Sequence, residues 1–347
     1  MSSHLTYLEA SVVGLIQGVT ELFPVSSLGH NVLLPAIIGG SWATDLNVAA
    51  SESPYLAFVV GLHVATAIGI MVYFWRDWVR IIRGFCTSVR HVRVKTVDEK
   101  LCWMMIVATI PVGLVGLLFE HEFRELFAKP IRAAIFLVVN GVILYAGERF
   151  RTQRSKQADE DQAARRAELA RVPSGGGAAA SAFAEAGAPG TPRRPVAAHA
   201  SGQRAIRRQE ELQALESDVR LSGTGFVEAV IIGSAQILAL LAGISRDGAT
   251  IVAGMFRGLS REDAARFAFL LATPVILAAG VLKLPDLTGP DSHGIQGQIL
   301  VGSILSGVGA YLSVRFLVRY FQTRTLTPFA IYCVVAGLAA IVYLQLR

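Results

Sequence analysis

The chain has 347 residues, of which 53% are hydrophobic and 17% are charged. A soluble domain carries about a quarter charged residues, so this composition argues against a soluble enzyme and predicts an integral membrane protein. The net charge of +6 comes from arginines clustered in two loops, which is typical of cytoplasmic loops and speaks against nucleic-acid binding. The three cysteines (Cys86, Cys102 and Cys333) are widely spaced and are interpreted as small apolar residues. No secretory signal is expected, because residues 1–10 lack a basic segment and a cleavage site.

The first apolar region is interrupted. Residues 8–24 and 30–40 are each short for a membrane span and contain several glycines and Pro24. They predict a re-entrant helical hairpin, which is tolerated in a membrane only where protein or water lines it. The hairpin also carries Glu21, Ser26, Ser27 and His30. Ionisable side chains at membrane depth are costly, so these residues are candidates for function.

Three membrane spans are predicted next, at about 55–75, 101–119 and 131–149. The segment 76–100 holds seven Lys or Arg against three Asp or Glu and is predicted to be a cytoplasmic loop. Residues 150–222 are rich in Ala, Gly, Pro, Arg and Glu. They predict a cytoplasmic, disordered insert with charged helices near 157–171 and 204–220.

Residues 226–256 form a second interrupted apolar stretch, and spans follow at about 266–284, 298–318 and 328–346. The connection 285–297 contains two aspartates and no Lys or Arg, so it is predicted to be external. The connection 319–327 contains Arg319 and Arg324 and is predicted to be internal. This topology leaves both termini outside.

An internal repeat supports the topology. At an offset of 219 positions, Glu9-Ala10 matches Glu228-Ala229, and Gly14, Gln17, Ser26 and Gly29 also meet identical residues. Each half is then one re-entrant hairpin and three spans, and an odd number of spans inverts the second copy. The predicted fold is an all-α integral membrane protein of two inverted repeats, 1–149 and 223–347, with the insert 150–222 between them.

The second hairpin contains an anion-binding pattern, Ser245-Arg246-Asp247-Gly248-Ala249-Thr250. A guanidinium matches phosphate oxygens bidentately, and glycines let backbone N–H groups approach an anion. Ser245, Arg246 and Thr250, with Ser26 of the first hairpin, are therefore predicted to bind substrate. The alternative partners for Arg246 are the carboxylates of Glu21 and Asp247, and a buried Arg246–Asp247 ion pair would only fix the hairpin.

The first hairpin carries the reacting groups. Gln17 and Glu21 share a helix face, where a carboxylate can hold a divalent cation or act as a base. Ser27 and His30 can supply a nucleophile and a general acid/base. Positioning, charge neutralisation and an activated oxygen suffice for phosphoryl transfer, so Glu21, Ser27, His30 and Arg246 are predicted to be catalytic.

Two segments resemble the signatures of the bacitracin-resistance type undecaprenyl-diphosphate phosphatases. They are Gly18-Val-Thr-Glu-Leu-Phe-Pro-Val-Ser-Ser-Leu-Gly-His30 and Ala242-Gly-Ile-Ser-Arg-Asp-Gly-Ala-Thr250. The resemblance covers nearly the whole chain except about 150–222. It implies an enzyme of the bacterial plasma membrane that removes the terminal phosphate of undecaprenyl diphosphate, recycling the lipid carrier for cell-wall synthesis. It also implies a site open to the outer face and a divalent cation, Mg²⁺ or Ca²⁺.

The chain departs from the family pattern near the expected metal. Many members have a second glutamate at the position of Gln17, and Asp247 replaces the usual serine. The predicted metal ligands are therefore Glu21, Gln17 and Asp247. Ala242 replaces a proline, and Leu28 replaces a small hydroxyl residue.

These features predict a membrane phosphatase whose partners are a polyprenyl diphosphate lipid and the bilayer. The choice between Ser27 and a metal-bound water as nucleophile stays open, as does the choice between a monomer and a homodimer. The main alternative is a non-enzymatic transporter or flippase of a phosphorylated polyprenyl lipid, since broken helices and a midplane anion site occur there too. A membrane scaffold with a cytoplasmic tail is a third reading that leaves the hairpins unexplained.

Overall fold

A computed structural model describes residues 5–46, 54–127, 129–171, 198–283 and 294–346. Every regular element in these residues is helical. The first half contains α1 (Tyr7–Thr20), α2 (Ser27–Ile38), α3 (Ser41–Asp45), α4 (Pro54–Tyr73), α5 (Trp75–His91), α6 (Val97–Phe127) and α7 (Pro130–Arg171). The second contains α8 (Ala198–Gly223), α9 (Phe226–Ser234), a 3₁₀ helix (Ala235–Leu240), α10 (Arg246–Phe256), α11 (Arg261–Leu282), α12 (Gln296–Thr323) and α13 (Thr327–Leu346). The predicted all-helical fold is confirmed.

Five of the described helices are long and apolar enough to cross a membrane: α6 over 97–119, α7 over 130–157, α11, α12 and α13. The remaining predicted span, at about 55–75, corresponds to α4. It belongs to a bent pair in which residues 57–73 and 75–91 meet at 89°. The pair formed by residues 208–223 and 226–240 bends by 101°. The chain is a multi-pass membrane protein with interrupted helices.

The prediction of a loop over 76–100 is wrong, because residues 75–91 form the amphipathic helix α5. Ile81, Gly84 and Ser88 are its buried face, at helical spacing. Some of the charges that suggested a loop form ion pairs within the structure instead. Arg80 bonds Asp77 and Asp218 at 2.6 Å each, so the helix is fixed by ion pairs along one side.

The structure divides into two compact units, residues 1–149 with 217–347, and residues 150–216. The described residues of the second unit form the C-terminal part of α7 and the N-terminal part of α8. These two helices cover both charged helices predicted in the insert. Disorder was predicted for the insert 150–222, but its described parts, 150–171 and 198–222, are helical. Residues 172–197 and most of the predicted external connection lie outside the described residues.

Equivalent helices of the two repeats each pack against the opposite repeat. Gly14 of α1 lies against Gly302 of α12, so a Cβ at Gly14 would come within 2.5 Å of the Gly302 carbonyl oxygen. Its repeat mate Gly233, in α9, lies in the same way against Ala108 of α6. The hairpin of each half therefore packs on the second span of the other half, as expected for two halves related by a two-fold axis.

The shared Glu-Ala pair has a local cause. Glu9 is the third residue of α1 and forms a capping box with Thr6: its backbone N donates to Thr6 Oγ1 at 3.2 Å, and Thr6 N donates to its carboxylate at 2.8 Å. Glu228 occupies the same position in α9. A carboxylate in the first turn also interacts favourably with the helix dipole, which explains why both copies start this way.

Candidate active site

The first hairpin breaks between α1 and α2. Helix α1 ends at Thr20, and α2 begins at Ser27 after a turn containing Pro24. Ser26 caps α2 with φ of 69° and accepts a hydrogen bond from Gly29 N at 3.2 Å. Glu21 is the C-cap of α1 and Ser27 is the first residue of α2, so the two side chains lie on either side of the break.

The second hairpin breaks in the same way. Gly243 has φ of 112°, a conformation that favours glycine. Ser245 caps α10 by accepting from Gly248 N at 3.1 Å, and Arg246 is the first residue of that helix. Ser27 and Arg246 are repeat mates at offset 219, so each copy places the first residue of its second helix at the equivalent point.

Two hydrogen-bonding side chains join the hairpins. Asn140 of α7 donates to the Pro24 carbonyl at 2.9 Å and accepts from Ser245 N at 3.0 Å. Ser26 Oγ also accepts from Gly243 N at 3.2 Å. Since all these groups are buried, the bonds fix the two broken turns against each other.

The carboxylate of Glu21 is the centre of the polar cluster. Its Oε1 accepts from Arg246 Nη2 at 2.9 Å. Its Oε2 accepts from Ser27 Oγ at 2.5 Å and from Gln17 Nε2 at 2.8 Å. His63 Nε2, from α4, lies 3.5 Å from the same oxygen. The arrangement couples a nucleophile-type hydroxyl to a carboxylate and an arginine.

This cluster forms the polar end of a cavity of about 420 Å³. Glu21, Ser27, His63, Arg246 and Lys283 are among the residues that line it. Its apolar wall includes Val32, Val59, Val112, Leu240, Val275 and Ile276. A cavity that joins charged groups to an apolar wall suits a ligand with an anionic head and a hydrocarbon tail.

Two helix N-termini meet in this cavity, because Ser27 begins α2 and Arg246 begins α10. The N-terminal end of a helix carries partial positive charge and favours anions. Arg246 uses one N–H on Glu21 at 2.9 Å and a second, at 3.5 Å, on the Ala272 carbonyl. A guanidinium has five donors, so binding phosphate oxygens is within its capacity.

The other predicted site residues have more local partners. Ser26 and Ser245 line the cavity as helix caps and are 3% and 2% exposed. Thr250 donates to the Arg246 carbonyl at 2.8 Å. Asp247 lies 3.4 Å from Arg246 Nε, and its oxygens have no hydrogen-bond partner among the described residues. Of the alternatives for Arg246, Glu21 makes the shorter ion pair.

The hydrogen bonds of the His30 ring go to groups other than Ser27. Its Nδ1 is 2.7 Å from the Ser26 carbonyl oxygen, and its Nε2 is 2.7 Å from the Tyr332 hydroxyl. The two rings are stacked with centroids 5.8 Å apart. His30 is not among the described residues that line the cavity, so its role as a general acid/base stays a prediction.

A metal bound at Glu21 would need further ligands from the substrate. The described residues contain no cluster of three or more His, Cys, Asp or Glu. The Gln17 carbonyl oxygen accepts from Asn31 Nδ2 at 2.8 Å, so its NH₂ group faces Glu21. Mg²⁺ is often held by one or two carboxylates together with substrate phosphates, and Glu21 meets that requirement. Gln17 and Asp247 stay predicted ligands.

Sequence reasoning missed three residues of the site: His63, Lys283 and Asn140. His63 and Asn140 are polar residues inside apolar spans, and the cost of such residues at membrane depth was the signal that could have found them. A fourth missed residue, Asn31, orients Gln17 and directly follows the motif that ends at His30.

Short broken helices that carry an arginine and a carboxylate to one cavity define a polytopic membrane protein with an internal charged cavity. More specifically, the chain belongs to the family described as bacitracin resistance protein BacA, whose model matches residues 10–170 and 202–339. The match leaves out part of the insert and covers both hairpins.

Known relatives agree with this assignment. The chain is 56% identical to a protein named "Undecaprenyl-diphosphatase" from Mycolicibacterium paratuberculosis, over 100% of both chains. It is 55% identical to the "Undecaprenyl-diphosphatase" of Mycobacterium avium, again over 100% of both. A protein named "Undecaprenyl-diphosphatase 2" from Frankia alni is 55% identical over 96% of each chain.

Proposed function

We propose that this chain hydrolyses undecaprenyl diphosphate to undecaprenyl phosphate and inorganic phosphate in the bacterial plasma membrane. The observation that carries the proposal is the convergence of Glu21, Ser27 and Arg246 from two repeat-related hairpins on one cavity. The family membership and the names of its relatives agree with this activity. The product is the lipid carrier that cell-wall synthesis uses again.

Substrate binding follows from the cavity. Arg246 leaves Glu21 in part to hold the diphosphate, and the N-termini of α2 and α10 add partial positive charge. The prenyl chain lies along the apolar wall and continues into lipid. A divalent cation held by Glu21 would neutralise part of the diphosphate charge.

The chemical step uses the short contact between Ser27 and Glu21. Ser27 Oγ attacks the terminal phosphorus while its proton passes to Glu21, and the bond to the bridging oxygen breaks. The electron pair leaves with undecaprenyl phosphate. Water then attacks the phosphorus of the phosphoserine and the bond to Ser27 Oγ breaks. Phosphate is released, and the proton returns from Glu21 to Ser27. In the alternative mechanism, water attacks the phosphorus directly and Ser27 only orients it. Acid quenching during turnover distinguishes the two mechanisms, because only attack by Ser27 leaves phosphate covalently bound to that residue.

The site is proposed to open to the outer side. The basic segments, α5 and the insert, are assigned to the cytoplasm by their excess of Lys and Arg. Both termini, and the ends at which the first hairpin enters and leaves the membrane, then lie on the outer side. We propose that substrate reaches the cavity from that side.

The proposal is tested with the purified protein in detergent and undecaprenyl diphosphate labelled on its terminal phosphate. We expect phosphate release by the wild type and a loss of at least about 100-fold in Arg246→Ala, comparable to the loss of an oxyanion-stabilising donor. Arg257→Ala is the matched control, because Arg257 follows the last residue of the same helix and pairs with Glu228. No release by the wild type, with labelled lipid still crossing reconstituted vesicles, would favour the flippase alternative.

A further inference from the structure

His63 has a geometry that the phosphatase mechanism above does not use. It belongs to α4, lines the cavity and points Nε2 at Glu21 Oε2, 3.5 Å away. Its side chain is about 28% exposed, whereas that of Glu21 is 7% exposed. The imidazole therefore lies on the cavity side of the carboxylate.

The other ring nitrogen determines what Nε2 can do. His63 Nδ1 lies 2.9 Å from the carbonyl oxygen of Val59, one helical turn earlier. A carbonyl only accepts, so Nδ1 carries the proton in this bond. In the neutral ring Nε2 then holds a lone pair, and it faces a carboxylate oxygen that also holds lone pairs. Two facing lone pairs repel, so this contact requires either a proton on Nε2, which makes an ion pair, or a metal cation bound by both atoms.

A histidine that binds a metal usually donates its second ring N–H to a backbone carbonyl or a carboxylate, which fixes the ring. His63 makes this bond with Val59. We propose that His63 Nε2 and Glu21 are the two protein ligands of the divalent cation, and that His63 takes the place of the carboxylate that Gln17 lacks. The inference rests on the proposed function only in that diphosphate oxygens and water complete the coordination.

The carboxylate has room for this role. A carboxylate offers about four lone-pair sites, two on each oxygen. Ser27 and Gln17 donate to Oε2 and Arg246 donates to Oε1, so the site that remains for a cation is on Oε1. The Gln17 carbonyl is already used by Asn31. His63 is then the described side chain that can add a neutral nitrogen ligand beside Glu21.

A nitrogen ligand changes which metal is preferred. Carboxylate and carbonyl oxygens suit Mg²⁺ and Ca²⁺, whereas an imidazole shifts affinity toward transition metals. The wild type should therefore hold Mn²⁺ against an excess of Ca²⁺ better than the His63→Gln variant, in which only oxygen and amide donors remain.

The test uses Mn²⁺ alone with the full-length protein in detergent. Electron paramagnetic resonance gives the bound fraction, and pulsed measurements detect the ¹⁴N of a coordinated imidazole. We expect a ¹⁴N signal in the wild type, its loss in His63→Ala and His63→Gln, and at least about tenfold weaker Mn²⁺ binding in His63→Ala. His91→Ala is the control, because His91 on α5 makes the same bond to a carbonyl one turn earlier but is exposed.

A ¹⁴N signal that persists in His63→Ala, or Mn²⁺ affinity that does not change, would overturn the inference and leave His63 as an ion-pair partner of Glu21. Unchanged thermal unfolding of both His63 variants guards against a folding defect. No substrate is present, so the metal result stands apart from the phosphatase assay: a nitrogen-ligated Mn²⁺ in a protein that releases no phosphate would refute the proposed function alone.

Discussion

Replacing Ser26 by alanine removes two hydrogen bonds that one hydroxyl accepts. Ser26 Oγ accepts from Gly29 N, which caps α2, and from Gly243 N in the second hairpin, both at 3.2 Å. Its repeat mate Ser245 accepts from Gly248 N at 3.1 Å as the cap of α10. The two serines therefore share the capping role, and within the described residues the Ser26 hydroxyl also bonds across to the other hairpin.

The expected losses differ accordingly. A lost N-cap costs about 1 kcal/mol, so Ser245→Ala should destabilise the protein by about that amount. Ser26→Ala also leaves the Gly243 N–H without its partner, and a buried donor left unsatisfied costs a further 1–3 kcal/mol or so. We expect a total of about 2–4 kcal/mol for Ser26→Ala.

The measurement is reversible unfolding in detergent, followed by tryptophan fluorescence, on the wild type and both variants. Losses that agree within about 0.5 kcal/mol would refute the reasoning, because the bond between Ser26 and Gly243 would then contribute nothing. A larger loss in Ser245→Ala would mean that the link between the hairpins depends on another contact.

Three further outcomes can be checked on the same protein. Gly14→Ala should lower the free energy of unfolding by about 1–3 kcal/mol through overpacking against α12, whereas Gly113→Ala, which meets nothing within 4 Å, should be neutral or stabilising; equal effects would contradict the close packing. Asn140→Leu leaves Ser245 N without its partner and leaves the Pro24 carbonyl with only the weak Cys333 Sγ donor at 3.8 Å, so it should cost about 1–3 kcal/mol in the same unfolding assay; a loss below about 0.5 kcal/mol would exclude that linking role. Cys86 is exposed and should resist an impermeant maleimide in intact cells but react after permeabilisation; labelling from outside would reverse the proposed orientation.

The pairing of the two hairpins could be predicted from sequence because the repeat kept short-range signals. Ser26 and Ser245 are helix caps, and Gly14 and Gly233 are close-packing points. Each role depends on residue type at one position, so identity at a fixed offset reveals it. The spans were predictable for a similar reason, since length and apolar composition suffice.

The rest depends on contacts between distant segments. His63 is a lone histidine in an apolar span, and its place beside Glu21 follows from how α4 packs, which no local pattern encodes. The partner of His30 is Tyr332, 302 positions later. Helix α5 was missed because its arginines outweighed the helical spacing of its buried face; Arg80 pairs with Asp218, which lies far along the chain.

The central claim is that residues from both hairpins act as one active site. The most direct test is a double-mutant cycle on kcat/KM for phosphate release with Glu21→Gln, Arg246→Ala and the double variant. Because Glu21 and Arg246 are in contact and serve the same diphosphate, we expect the double variant to be about as slow as the slower single variant. Effects that multiply would contradict the account, since they would mean that the two hairpins act independently.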